Sequence, residues 1–168
     1  MWDISKLSDT FQVRRLTPSD VPQVLALCQG NPLFYQYCPP DVTADSILED
    51  MEKLPPRTVP EDKYYIGYFD GENLVAVMDL IHNFPQTGAA FIGFFMMEAT
   101  RQGKGEGSKI IAELCPFLKS RQCPYIRLGW VQGNRQSGAF WHKNGFAETG
   151  VTSRQKEYTI ILAQRNLS

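Results

Sequence analysis

Eight residues, Arg101-Gln102-Gly103-Lys104-Gly105-Glu106-Gly107-Ser108, combine three glycines with two cations, a composition suited to holding phosphate. The apolar, aromatic run at 89–97 precedes them and reads as a buried strand. Ser108-Lys109-Ile110-Ile111-Ala112-Glu113-Leu114 comes next and is apolar at helical spacing. Strand, glycine-rich turn and helix N-terminus together make an anion site. Glycines let the backbone approach a ligand, and the first helical turn leaves N–H groups without intrahelical partners. The helix dipole adds partial positive charge, and Arg101, Lys104 and Lys109 add whole charges.

Spacing decides which phosphate ligand is meant. A Walker A loop requires Gly, four residues and Gly-Lys-Ser/Thr. Here Gly105 follows Gly103-Lys104, and Glu98 stands where the first glycine belongs. A dinucleotide fingerprint requires a third glycine three residues after the second. Counted from Gly103 and Gly105 that position is Ser108, and counted from Gly105 and Gly107 it is Ile110. Both templates fail. What remains is Gln102-x-x-Gly105-x-Gly107.

A second motif lies downstream, in Asn134, Ser137, Trp141, Gly145 and Phe146. Asn134 can end a strand at 125–131 and cap the next helix, and Gly145 can supply a left-handed C-cap. The two motifs leave room for one helix and one strand between them.

Together they resemble the GNAT superfamily of acetyl-CoA-dependent N-acetyltransferases. Its Gln/Arg-x-x-Gly-x-Gly/Ala loop grips the pyrophosphate of acetyl-CoA, and its second signature runs Asn, a small residue, an aromatic (usually Tyr) and Gly-Phe. The resemblance covers residues 89–146 directly. It implies an α/β fold with a mixed, mostly antiparallel sheet of six to seven strands flanked by about four helices. It also implies acetyl-CoA as co-substrate, with cofactor contacts at Met96, Met97, Arg101, Gln102, Gly103, Lys104, Gly105, Glu106, Gly107, Ser108, Asn134, Trp141 and Lys143. At Met96 and Met97 the resemblance assigns that role to the backbone; their side chains read as core.

The pattern along the chain agrees. Residues 11–16 alternate as a strand, and Asp20 can cap a helix over 21–28. Residues 31–40 are aromatic but too rich in proline for a long helix. Thr43 or Asp45 caps a helix running to about residue 54, stopped by Pro55-Pro56. Residues 64–69 and 74–81 flank Asp70-Gly71-Glu72-Asn73, a hairpin signal. Pro116 predicts a kink or early end in the helix after the glycine loop. Strands near 147–151 and 157–163 complete the chain.

At 168 residues the chain reads as one domain, 1–168, large enough to bury about 70% of its unfolded surface. Seventeen basic against eighteen acidic residues give no global field for nucleic acid or membrane. No stretch reaches the roughly eighteen apolar residues of a membrane span, and the N-terminus lacks the apolar run of a signal peptide. Cys28, Cys38, Cys115 and Cys123 have no metal-ligand spacing, so reduced thiols in a cytoplasmic protein and no metal are expected. The resemblance implies a monomer or homodimer.

Acetyl transfer to an amine requires a fixed thioester, a polarised carbonyl, a deprotonated amine and a protonated leaving thiolate. Two residues are candidates for catalysis. Asp79 interrupts the apolar run Val75-Ala76-Val77-Met78-Asp79-Leu80-Ile81, and strict alternation puts it on one face with Val75, Val77 and Ile81. A carboxylate there requires a partner, and an amine acceptor would be one. Trp141 stands where the family usually has its tyrosine. Its indole N–H can orient or solvate a thiolate but is no acid at neutral pH. The resemblance also implies that the segment joining the first two helices walls the acceptor site, through Leu33, Phe34, Tyr35 and Tyr37 with Asp41 nearby. The alternative reading is a non-catalytic acyl-CoA-binding sensor or interaction module with the same fold.

Overall fold

The computed structural model describes residues 1–167. Seven strands form one sheet: β1 (Gln12–Arg15), β2 (Lys63–Asp70), β3 (Asn73–His82), β4 (Ala90–Met97), β5 (Tyr125–Val131), β6 (Ala147–Arg154) and β7 (Thr159–Asn166). Their order is β1-β2-β3-β4-β5-β7-β6. Every neighbouring pair is antiparallel except β4 and β5, which are joined by a helical crossover. Parallel neighbours require such a connection, and the glycine loop opens it. The helices are α1 (Val21–Gln29), α2 (Pro32–Tyr37), α3 (Ala44–Glu52), α4 (Glu106–Ser120) and α5 (Arg135–Lys143).

The helices cover both faces, which is why the central strands are apolar without alternation. On one face Ile110, Ile111, Leu114 and Leu118 of α4 pack with Met78, Leu80, Ile126 and Leu128, and Trp141 of α5 joins them. On the other, Val24 and Leu27 of α1 and Ile47 of α3 pack with Tyr65, Val77 and Met96. Cys28, Cys115 and Cys123 are buried thiols.

Three local features differ from the sequence expectation. Helix α4 runs unbroken through Pro116. Ala112, whose carbonyl loses its donor there, and Pro116 itself both lie on the exposed side, where water replaces the missing bond. The buried stripe keeps the helix on the sheet. Asp20 does not cap α1; its carboxylate turns back to the Thr17 N–H (2.8 Å) and closes the 3-10 turn Pro18–Asp20. It also receives both terminal nitrogens of Arg14, at 2.9 Å each. Finally, the β2–β3 register slips between Tyr68 and Phe69, so Val75 is extra in β3 and packs with Ala76 and Met78. Val77 keeps the opposite face. Thr43, Asn134 and Gly145 perform as expected. Thr43 forms a reciprocal cap with Ser46, Asn134 accepts from the Ser137 N–H, and Gly145 ends α5 with φ 87°.

The Arg14 guanidinium and the Thr17 N–H hold the Asp20 carboxyl down at about 2. A depressed carboxylate stabilises the fold above its unfolded value of about 4, and this contribution is lost as pH falls toward 2. Asp20→Ala is therefore expected to lower unfolding free energy by about 1–2 kcal/mol at pH 7. The deficit should shrink toward pH 2, as followed by urea denaturation across pH.

Candidate active site

The site begins where two strands part. Strands β4 and β5 pair over three positions only, Ala90↔Ile126, Phe91↔Arg127 and Ile92↔Leu128. Beyond Ile92, β4 continues beside β3 and leaves β5. The Glu98 N–H donates to the Val75 carbonyl, so by the alternation of an antiparallel pair Met96 and Phe94 also bond to β3. Phe95 and Met97 turn their backbone groups into the gap. Met96 and Met97 side chains are buried on opposite faces of the sheet. Of the two methionines, Met97 thus has its backbone on the gap.

Two side chains clasp this point: Gln102 of the loop motif and Asn31, which the sequence left without a role. Asn31 Nδ2 donates to the Met97 carbonyl and to Leu27 O, both at 3.0 Å. Gln102 Nε2 donates to the same Met97 carbonyl at 3.1 Å and to Asn31 Oδ1. The Gln102 side chain therefore faces inward as a strut, and its place in the loop motif concerns position more than ligand contact. Asn31 had no legible signal beyond standing before Pro32.

Past Gln102 the backbone opens outward. Gly103 and Gly105 take φ 77° and 82°, a region that side chains strain to enter. The first helical bond of α4 is Lys109 N–H to Gly105 O, and the N–H groups of residues 103–108 have no acceptor among the described residues. Gly107 lies against Phe140, where a Cβ would come within 3.1 Å of the ring. These are the features of a phosphate cradle. Its charge is distributed differently from the sequence reading. Arg101 is held by Asp70 at 3.0 Å and Glu106 at 3.1 Å, whereas Lys104 and Lys109 make no ion pair among the described residues. Ser108 Oγ accepts from Asn144, and Lys143 is exposed at the far end of α5.

A cleft of 220 Å³ runs from this loop into the gap, reaching Phe95, Met97, Asn134 and Trp141. Trp141 is 7% exposed and packs against Phe95, Phe140 and Phe146, with ring centroids 4.9–5.8 Å apart. It is chiefly a wall. On the other side of β4 lies a larger cavity of 710 Å³, with Gly93 and Gly129 on its floor and Tyr158 from the β6–β7 hairpin on its rim. Phe34 lines the cleft, Phe94 lines the cavity, and their rings meet edge-on at 5.7 Å.

Asp79 stands in that larger cavity. The β3–β4 register skips Gly93, which gives Asp79 room: a Cβ on Gly93 would lie 3.0 Å from Asp79 Oδ2. Lys63 Nζ donates to Oδ2 at 3.0 Å, with both side chains nearly buried. Oδ1 has no partner among the described residues. Burial raises the Asp79 carboxyl to about 6, and Lys63 opposes that rise. Of the other expected acceptor residues, Tyr35 is half-buried against the core beside the Cys28 thiol and Tyr37 lines neither space. Lys63 was missed because its link to Asp79 is diagonal: Lys63 pairs with Ile81, and Asp79 with Tyr65.

A parted parallel strand pair, a glycine turn with free N–H groups at the start of the crossover helix and a second cavity on the opposite side of β4 lie together in this sheet. The family model for the acetyltransferase (GNAT) family matches residues 29–146, and the chain belongs to that family. The fold agrees with solved structures. An acetyltransferase from Thermus thermophilus superposes with TM-score 0.75 at 18% identity, over 94% of this chain and 97% of that one. The PaiA N-acetyltransferase from Thermoplasma acidophilum, solved with coenzyme A, gives 0.66 at 16% identity over 93% and 98%. Ard1 from Thermoplasma volcanium gives 0.68 at 17% over 95% and 99%. Curated protein sequences gave no match.

The ion pairs of the loop make an ordered prediction. Lys104→Ala should weaken coenzyme A binding about fivefold at low salt, whereas Arg101→Ala, whose charge is already neutralised, should change it less. Calorimetric titration of both variants at two salt concentrations checks the order.

Proposed function

We propose that this protein moves the acetyl group of acetyl-CoA directly to a primary amine of a small molecule or peptide. The observation that carries the reading is Asp79: a nearly buried carboxylate with one oxygen fixed by Lys63 and the other unpartnered, in a cavity that adjoins the strand gap. The unpaired N–H groups of residues 103–108 suit the pyrophosphate, and the backbone of Phe95 and Met97 suits the pantetheine arm and the thioester oxygen. Acetyl-CoA supplies an activated acyl carbon.

An amine entering the larger cavity as its ammonium meets the Asp79 carboxylate, which accepts a proton and frees the nitrogen lone pair. The nitrogen then attacks the acyl carbon, the C–S bond breaks, and the thiolate takes up the proton that the attacking nitrogen gives up as the amide forms. Lys63 holds Oδ2 and so orients the carboxylate, while Oδ1 is buried without a partner among the described residues. Trp141, buried and lacking a titratable group near neutrality, serves by shaping the wall beside the sulfur. Proximity of the two bound substrates carries much of the rate. The sensor reading draws on the tryptophan in place of tyrosine. The open acceptor-side cavity favours turnover.

Asp79 works as a base only when ionised, so kcat/KM for amine transfer should fall as pH drops through about 6. Asp79→Asn should remove that limb and lower kcat/KM by about 100-fold or more, with acetyl-CoA affinity unchanged. Lys63→Met should move the limb to higher pH, because Lys63 opposes the rise that burial causes. Thiol-release assays from pH 5 to pH 9 read all three; a limb that persists in Asp79→Asn removes Asp79 from the reaction.

A further inference from the structure

The larger cavity holds more charge than proton transfer requires. Asp79 faces Lys63. Burial raises the Asp50 carboxyl, and Lys53 and Lys63 oppose that rise, so both carboxylates have cations beside them. One cation is left over. Arg127 of β5 lines the cavity, and its Nε and Nη2 donate at 3.1 and 2.6 Å to Gln164 Oε1, a neutral amide. The guanidinium lies 5.2 Å over the Tyr125 ring. It is half-buried, and among the described residues no carboxylate comes within ion-pair distance. A guanidinium is always charged and presents a planar fork that matches a carboxylate. Stacking and a single amide acceptor orient it without neutralising it.

Position sets the length of what would fit. Asp79 and Arg127 lie on the same face, two strands apart, with Phe91 directly between Ile81 and Arg127 in register. Two strand spacings across and two residues along place their backbones roughly 12 Å apart. The guanidinium turns over Tyr125, away from Asp79, so the charged groups are further apart than the amine and carboxylate of one α-amino acid, and a short peptide is the smallest zwitterion to span them. The stretch between is apolar: Phe84 and Phe91 meet edge-on at 5.1 Å, and Phe94 and Pro85 flank them.

We propose that the acceptor is a zwitterion of short-peptide length, its amino group at Asp79, an apolar side chain against Phe84 and Phe91, and its carboxylate on Arg127. The proposal rests on the transfer reading above and narrows its acceptor. Glycyl-phenylalanine and glycyl-phenylalaninamide differ at the carboxylate and are the probes. Each is titrated calorimetrically into the protein saturated with coenzyme A, so that binding is read independently of turnover. The acid should bind at least about tenfold more tightly than the amide, as expected for a charge-assisted pair. Arg127→Gln should erase the preference with coenzyme A affinity unchanged, and Arg127→Lys should keep part of it. Equal binding of the two probes, binding of neither, or a preference that survives in Arg127→Gln overturns the proposal and leaves amine transfer standing. Failure of coenzyme A to bind in the same titration overturns the transfer reading and the proposal with it.

Discussion

The constraint that organises this molecule is the need of every backbone N–H and C=O for a partner. Strands β4 and β5 satisfy it for three residue pairs and then separate. From that point to its end, β4 is hydrogen-bonded to β3 along one edge and open along the other. The Met97 carbonyl is satisfied by Asn31 and Gln102, which lock the end of the strand to the α1–α2 junction and to the glycine loop. The rest of that edge faces a cleft. A ligand with its own donors and acceptors would complete it, and the parted strands put this open edge in the middle of a sheet.

The two spaces beside β4 have opposite chemistry because different elements cover the two faces. The α4 side ends in a left-handed glycine turn and a helix N-terminus, and it presents donors. The opposite side is roofed by the end of α3, the β3–β4 loop and the β6–β7 hairpin, and it presents apolar walls with buried charges. Gly93 links them. As the extra residue of a bulge it lets β4 bend away from β5, and by lacking a side chain it admits Asp79. Bending the strand and seating the carboxylate are one structural event.

The parts of this arrangement that were legible in the sequence are local. The glycine loop, the helix after it, the Asn134 cap, the Gly145 terminus and the Asp70–Asn73 hairpin each depend on a few neighbouring residues. Asp79 was conspicuous as a carboxylate inside an apolar run. The unread parts depend on register or on tertiary covering. Lys63 reaches Asp79 only through a diagonal across a bulged hairpin. Asn31 and Gln102 meet because α1 ends against the tip of β4. Pro116 was read as a helix breaker because propensity sees the lost hydrogen bond and not the stripe of Leu114, Phe117 and Leu118 that holds the helix down. Tyr35 and Tyr37 looked like acceptor contacts by their place in the chain, and Cys28 and α2 geometry direct them elsewhere.

The central claim is that the open edge of β4 receives the thioester arm of acetyl-CoA. Residue-resolved amide hydrogen exchange, with and without saturating acetyl-CoA, tests it at the backbone itself. The account predicts slowed exchange at Phe95 and Met97 and across residues 103–108, with Met96, already bonded to β3, little changed. Unchanged exchange at Phe95 and Met97 in protein that is demonstrably saturated would contradict it and place the ligand elsewhere.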